Sequence, residues 1–333
     1  MERTRRRRRN KPDGGPSPHS GAKKIMVRSY AKINLSIDVG ERQPDGFHPV
    51  DMIMQQIQFH DDVTVVYQPS SRRERGDITV SLQSNRVYLP SDERNLAVKA
   101  AILMIREYGK DQPGGRIDIR LLKRIPVAAG MAGGSGNGAA VIHGLNALWE
   151  LGLSLGRIME LCGELGSDVP FCAMGQANAN RVLPDNVRFD RMSSCAARAT
   201  GSGTILEPFR GDSRPVVIAK PRISVSTAEV YQGFDRCVPG KRPDNDRLLR
   251  RILSGDPAVY EDYINVLEWY TLAHYPVVGQ LKERMSQSGA EVVLMSGSGP
   301  TVFAVYGTSR EAEQAGLSLR KEGWEAYWTK TMS

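Results

Sequence analysis

The pattern of apolar and polar positions predicts a mixture of strands and helices. Residues 25–39 alternate as a strand, with one apolar side formed by Ile33, Leu35, Ile37 and Val39. Further strand-like segments cover residues 50–59, 63–67, 78–82, 116–122, 216–219, 292–295 and 302–306. Helical spacing predicts helices after Ser154, within residues 245–271, and over residues 95–108, 139–151, 228–235, 277–288 and 310–321. Because the order does not follow a strict strand–helix–strand alternation, the pattern predicts α+β layers rather than a doubly wound sheet.

The length of the chain favours two domains. A chain of 333 residues exceeds the usual size of one small domain. A new strand begins near residue 216, so we predict an N-terminal domain over residues 25–210 and a C-terminal domain over residues 211–333. Residues 176–195 are polar and show no periodicity, and no element is predicted there.

The net charge of +8 is concentrated at the N-terminus. Residues 1–24 contain nine basic and two acidic side chains, which leaves the remainder of the chain nearly neutral. Five consecutive arginines followed by Pro, Gly and Ser residues are typical of a disordered tail. A tether to RNA, polyphosphate or a membrane surface is the alternative interpretation. Nucleic-acid binding is therefore not favoured, except through the tail.

The apolar segments are short. None approaches the length of about 18 residues that a membrane span needs, and no apolar segment of about 7–15 residues follows the arginines as in a secretory signal. The four cysteines lack metal-ligand spacing and are expected to be reduced. We predict a soluble, cytoplasmic protein without a membrane partner.

A glycine-rich loop is the most informative segment of the chain, and it extends from Pro126 to Gly138. It lacks the Gly-Lys-Ser/Thr ending of a Walker loop and the downstream acidic residue of a dinucleotide fingerprint. Small residues let backbone N–H groups approach an anion, and the helix that follows directs its partial positive charge at the ligand. Ser135 adds a hydroxyl. The loop predicts a phosphate site, with a flexible hinge or a tight helix–strand connection as the alternatives.

Two charged residues stand in unusual places on either side of this loop. Lys32 interrupts an apolar strand, and Asp168 lies between an amphipathic helix and Pro170. If the two side chains meet, the ammonium favours the ionised carboxylate, which could then act as a base on a substrate hydroxyl. Phosphoryl transfer requires little more than such positioning and charge stabilisation. An edge-strand charge and a helix-end turn are the structural alternatives.

Four segments in this order resemble the galacto-, homoserine, mevalonate and phosphomevalonate (GHMP) kinase superfamily. They are residues 31–35, 126–140, 166–171 and 295–303. The resemblance implies a two-domain α+β fold. Its N-terminal domain would resemble domain 2 of ribosomal protein S5, its C-terminal domain would be ferredoxin-like, and the active site would lie between them.

Finer features resemble one branch of this superfamily. They are the segments 42–48, 226–231 and 265–268 and the extended Gly-Gly-Ser loop. Members of that branch use ATP to phosphorylate the 2-hydroxyl of 4-diphosphocytidyl-2-C-methyl-D-erythritol in the non-mevalonate isoprenoid pathway. The resemblance therefore implies ATP, Mg²⁺ and a small-molecule substrate that carries cytidine diphosphate. It does not predict which residues bind the metal.

The resemblance also implies roles for single residues. Asp168 would be the catalytic base, Lys32 its charged partner, and Asn34 a substrate contact. His48 would hydrogen-bond the cytosine, and Phe47 and Tyr231 would stack on its two faces. Residues 297–299 would close the cleft. The ATP phosphates would be covered by Pro126, Val127, Ala128, Ala129, Gly130, Met131, Ala132, Gly133, Gly134, Ser135 and Gly136.

The chain departs from the pattern of this branch at three places. Gly136 and Gly138 replace a serine and an alanine that are common there, and residues 176–195 resemble an insertion. Another GHMP kinase, or a drifted nucleotide-binding protein whose partner binds the basic tail, are the alternative functions. In the helix after the loop, His143 is expected at the surface or at an interface, and Trp149 in the core.

Overall fold

Two long antiparallel strands, β1 (Lys23–Val39) and β2 (Val50–Pro69), organise the first half of the chain. The computed structural model describes residues 21–44, 46–70 and 77–333, so the predicted tail lies mostly outside the described residues. Lys23 and Lys24, which we assigned to the tail, instead belong to β1 because they pair with Tyr67 and Val66. The two strands predicted between residues 50 and 67 form one continuous strand.

The first sheet has β2 at its centre. Beside β2 lie β1 on one side and, on the other, β4 against its C-terminal half and β5 against its N-terminal half. All pairings are antiparallel except that of β3 with β4. The remaining strands are β3 (Ile78–Ser84), β4 (Gly115–Leu122), β5 (Ala196–Gly201) and β6 (Ile205–Phe209).

Helices pack on this sheet around a large apolar cluster. They are α1 (Leu96–Tyr108), α2 (Gly133–Leu148), α3 (Leu155–Gly163), α4 (Val169–Ala179) and α5 (Asp185–Arg188), with a 3₁₀ turn at Gly109–Asp111. Helix α2 begins six residues earlier than predicted, although glycine lowers helix propensity. Its glycines permit close packing, since a Cβ at Gly138 would lie 3.2 Å from the Leu96 carbonyl oxygen.

Residues 176–195 are more ordered than their sequence indicated. Helix α4 continues to Ala179, α5 follows, and Leu183 and Val187 are buried in the core. Every residue from Val169 to Ala177 is buried. A helix that is buried on all sides has no polar face and therefore no amphipathic period. The sequence predicted no element in this segment, whereas the structure has the end of α4 and helix α5 there.

The second sheet has the order β10-β7-β9-β8 and is antiparallel throughout. Its strands are β7 (Pro215–Lys220), β8 (Val292–Met295), β9 (Val302–Val305) and β10 (Glu325–Lys330). The accompanying helices are α6 (Thr227–Phe234), α7 (Asn245–Ser254), α8 (Glu268–His274), α9 (Pro276–Ser286) and α10 (Ser309–Lys321), with a 3₁₀ segment at Pro257–Asp262.

The two sheets share apolar clusters, which bury the middle of β1 on both faces. One cluster joins Ile33 and Leu35 of β1 to Ile218 and Phe303 of the second sheet. From Ser29 to Ser36 every residue of β1 is buried, including the polar ones. This two-sided packing encloses Lys32. Within the described part of the chain, no helix has the length and apolar character needed to cross a bilayer.

Candidate active site

A cleft of about 850 Å³ lies where the glycine-rich loop, β1 and α6 meet. The structure brings nearly all of the predicted site residues to this one cleft. Those that line it are Lys32, Asn34, Phe47, His48, residues 126–135, Asp168 and Tyr231. Gly136 is the exception. It belongs to the first turn of α2 but is buried on the side of the helix that packs against β1.

Lys32 and Asp168 meet inside the cleft, with 3.8 Å between Nζ and Oδ2. The ammonium also donates to Asn34 Oδ1 at 2.6 Å. The pairing of β1 with β2 is irregular on either side of these residues, between Tyr30 and Lys32 and between Asn34 and Ser36. Bulges of this kind redirect side chains next to active sites. Lys32 is 3% exposed, so its charge acts in a medium that screens little.

Asp168 precedes the first residue of α4 and makes no capping hydrogen bond with its side chain. Pro170 is tolerated in the first turn because the amide hydrogen it lacks would have no helical acceptor. The carboxylate is therefore close to the positive end of the helix and remains available to a ligand. Burial raises the pKa of the nearby Cys172 thiol, and the negative charge of Asp168 raises it further.

The glycine-rich loop has positive φ angles at alternate positions, with 50° at Ala128, 70° at Gly130 and 54° at Ala132. The left-handed conformation strains the two alanines, and such strain is concentrated at functional sites. Alternation of this kind turns successive N–H groups toward one concavity that suits an anion. The loop is fixed to β1, because the Lys32 amide donates to the Met131 carbonyl at 3.2 Å.

A second glycine loop, from the C-terminal half of the chain, packs directly on the first. Ser296 Oγ donates to the Gly130 carbonyl at 3.0 Å, and a Cβ at Gly130 would lie 2.3 Å from the Ser296 carbonyl oxygen. Asn265 Nδ2 donates to the carbonyls of Met295 and Gly297, each at 2.8 Å. Gly297 and Ser298 line the cleft, so this loop forms one of its walls.

The other end of the cleft is aromatic. The His48 ring is 6.0 Å from that of Tyr231 and 6.2 Å from that of Phe234. His48 Nδ1 lies 3.0 Å from the Gly40 carbonyl, which can only accept, so Nδ1 carries a hydrogen, and Nε2 lies 3.6 Å from Asp235 Oδ2. Burial, and to a lesser extent Asp168, raise the pKa of Tyr231 to about 12, so that its hydroxyl stays protonated. Phe47 is 70% exposed at the rim.

Comparison with known proteins agrees with this geometry. Residues 95–176 match the family described as GHMP kinases N terminal domain, and residues 248–325 match GHMP kinases C terminal. The 4-diphosphocytidyl-2-C-methyl-D-erythritol kinase of Alkaliphilus metalliredigens (strain QYMF) is 40% identical over 295 residues, which are 88% of this chain and 91% of the relative. The chain belongs to this kinase family.

Further relatives belong to the same kinase family. The 4-diphosphocytidyl-2-C-methyl-D-erythritol kinase of Exiguobacterium sibiricum (strain DSM 17290) is 41% identical over 300 residues, or 89% of this chain and 94% of that one. A crystal structure of 4-(cytidine 5'-diphospho)-2C-methyl-D-erythritol kinase superposes with a TM-score of 0.72 at 28% identity, covering 93% of this chain and all of the other. Membership confirms the expected α+β GHMP fold and implies the use of ATP.

The glycines that depart from the common pattern of this family have packing roles. A Cβ at Gly136 would lie 2.3 Å from Ser29 Oγ, and one at Gly138 would crowd α1. A hydroxyl at position 136 would therefore enter the space between α2 and β1 rather than the cleft.

Three residues at the end of the cleft that the glycine-rich loop forms were missed in the sequence analysis. Lys123 and Asn137 line the cleft, and Asp61 is wholly buried behind them. Lys123 directly follows β4, three positions before the loop, and Asp61 is a charge within a largely apolar strand. Each of the two charges adjoins another charged residue, Asp62 or Arg124, and 62 positions separate them, so no pattern along the chain marked the pair.

Proposed function

We propose that this enzyme transfers the γ-phosphoryl group of ATP to the 2-hydroxyl of 4-diphosphocytidyl-2-C-methyl-D-erythritol, within the non-mevalonate isoprenoid pathway. One observation carries the proposal. A single cleft combines a glycine-rich loop suited to an anion, a carboxylate beside a buried ammonium, and an imidazole among aromatic rings. A substrate that contains both an alcohol and a cytosine matches the last two features.

In this proposal Asp168 is the general base. It accepts the proton of the 2-hydroxyl while that oxygen bonds to the γ-phosphorus and the bond to the β–γ bridging oxygen breaks, which releases ADP. Lys32, at 3.8 Å, compensates the negative charge that builds up around the reacting groups. Asn34 keeps Lys32 in place through the 2.6 Å hydrogen bond, and as a residue that lines the cleft it would contact the substrate.

The loop from Pro126 to Ser135 would hold the ATP phosphates through its N–H groups and the N-terminus of α2. The described residues contain no group of three or more His, Cys, Asp or Glu side chains suited to a metal. Mg²⁺ bound with nucleotides needs only one or two protein oxygens, and the Ser135 hydroxyl in the cleft could supply one. The ion would neutralise part of the polyphosphate charge.

His48 would recognise cytosine. With a hydrogen on Nδ1, Nε2 would accept from the exocyclic amino group of cytosine, whereas uracil presents an oxygen at that position. Tyr231 lies beside His48, and Phe47 lines the rim, so the two rings could enclose the base.

The test is an assay of ADP release with ATP, Mg²⁺ and one of four alcohols: the cytidine-linked methylerythritol, homoserine, mevalonate or galactose. We expect turnover with the cytidine substrate alone. Turnover with another alcohol instead would contradict the proposed cytosine site. Binding of ATP without turnover of any alcohol would favour a drifted nucleotide-binding protein.

A further inference from the structure

A buried group of three polar side chains lies behind the nucleotide end of the cleft. Lys123 forms an ion pair with Asp61 Oδ2 and donates to Asn137 Oδ1 at 2.9 Å. Asn137 Nδ2 in turn donates to Asp61 Oδ2 at 3.0 Å. Lys123 is 5% exposed, Asp61 0% and Asn137 2%. Each of the three side chains therefore bonds to the other two with little access to water.

The second carboxylate oxygen of Asp61 is also used. Asp61 Oδ1 accepts from the backbone amides of Arg124 at 2.7 Å and Ile125 at 2.9 Å. A buried ion pair is tolerated only when additional hydrogen bonds satisfy its atoms, and this condition is met here. The carboxylate thereby connects the middle of β2 to the segment that leads directly into the glycine-rich loop.

Lys123 is close to the anion-binding end of α2. A Cβ added at Gly133, the first residue of the helix, would lie 3.2 Å from Lys123 Nζ. A cation beside a helix N-terminus is electrostatically unfavourable by itself, and the charge of Asp61 offsets this. Asn137, one turn further along the helix, is bound to both charges. The direction of the first turn of α2 thus depends on this ion pair.

We propose that Lys123, Asp61 and Asn137 form a positioning triad that fixes the first turn of α2, and with it the N–H groups that meet the phosphates of ATP. The inference rests on the proposed function, since it assumes that this end of the cleft receives the nucleotide. Its consequence is specific. Loss of the triad should weaken ATP binding and leave the cytidine end of the cleft, with His48 and Tyr231, unchanged.

The main test compares Lys123→Met with the matched control Lys220→Met. Lys220 is also a buried lysine beside an acidic residue, 8% exposed and 3.8 Å from Glu325, but it does not line the cleft. We expect Lys123→Met to raise the KM for ATP about tenfold or more, as for a lost charge-assisted hydrogen bond, and to change the KM for the cytidine substrate less than twofold. Lys220→Met should change neither KM. Equal ATP KM values in the two variants would overturn the proposal.

A milder variant covers the case in which Lys123→Met does not fold. Asn137→Ala keeps the ion pair of Lys123 with Asp61 but releases α2 from it, and we expect the KM for ATP to rise about threefold to tenfold. An unchanged KM for ATP in a folded Asn137→Ala protein would refute the triad even if Lys123→Met were insoluble. Wild-type turnover separates the two proposals: an inactive wild type would contradict the proposed function, whereas an active wild type with insensitive variants would contradict the triad alone.

Discussion

Ser29 and Gly136 are complementary, because a Cβ at Gly136 would lie 2.3 Å from the Ser29 hydroxyl oxygen. Ser29 is wholly buried on β1, and its Oγ has no hydrogen-bond partner among the described residues. The hydroxyl on the strand thus occupies the space that a serine on the helix would need. Helix α2 packs against β1 next to the glycine-rich loop. This packing requires that only one of the two positions carries a side chain larger than that of glycine.

We therefore predict that Gly136→Ser destabilises the protein by about 1–3 kcal/mol through overpacking. Adding Ser29→Ala should restore most of this loss, because it removes the atom in conflict. Denaturant unfolding of both single variants and the double variant gives the coupling. Strictly additive effects would show that the two positions do not compete for space.

The contact between the two glycine loops predicts an effect on ATP. Ser296→Ala removes the hydrogen bond to the Gly130 carbonyl and should raise the KM for ATP about threefold to tenfold, with little loss of stability. Ser288→Ala is the control, since Ser288 bonds to Tyr306 away from the cleft. If both variants have the wild-type KM for ATP, the loop contact does not shape the nucleotide site.

The hydrogen on His48 Nδ1 predicts a preference between free nucleotides. Cytidine monophosphate should inhibit more strongly than uridine monophosphate, and His48→Leu should abolish the difference, at a cost of about tenfold in affinity for the cytidine ligand. Asp235→Asn, which alters the carboxylate 3.6 Å from Nε2, should retain the preference. Inhibition constants of the two nucleotides measure both effects. A preference that survives in His48→Leu would assign recognition to another residue.

His143 predicts a pH dependence of stability. It is wholly buried in α2, and burial lowers its pKa to about 4, while Nε2 bonds to the Ala173 carbonyl at 3.0 Å. As the pH falls from about 6.5 to 4, the unfolded chain takes up a proton that the folded protein refuses, so stability falls. The loss should be on the order of 3 kcal/mol when complete.

Denaturant unfolding of the wild type and of His143→Gln at several pH values tests this predicted loss of stability at low pH. Glutamine can still donate to the carbonyl but does not titrate, so the stability advantage of wild type at pH 7.5 should shrink by pH 4.5. A difference that stays constant with pH would show that His143 does not titrate in this range.

Much of the site could be predicted from the sequence because its parts are local. The glycine-rich loop is recognisable from composition, and Lys32 and Asp168 are conspicuous as charges beside apolar segments. That these two charges face each other came only from the family resemblance, because no pattern along a chain reports a contact between a strand and a distant helix.

The burial of single side chains and the conformation of short strands depended on tertiary packing. His143 was predicted at a surface or an interface, which is wrong, because α1, α4 and the sheet enclose α2. Trp149 was predicted in the core, which is confirmed. Strand β5 was not predicted, since half of its residues are alanines, which have little strand preference, and pairing with β2 determines its conformation.

The role of Asp168 is the central claim, and Asp168→Asn tests it most directly. The amide keeps the size of the side chain but cannot accept the substrate proton. We predict that kcat for ADP release with the cytidine substrate falls at least about 100-fold, while ATP binding measured by calorimetry stays within a few-fold of wild type. A kcat within tenfold of wild type would contradict the assignment of Asp168 as the base.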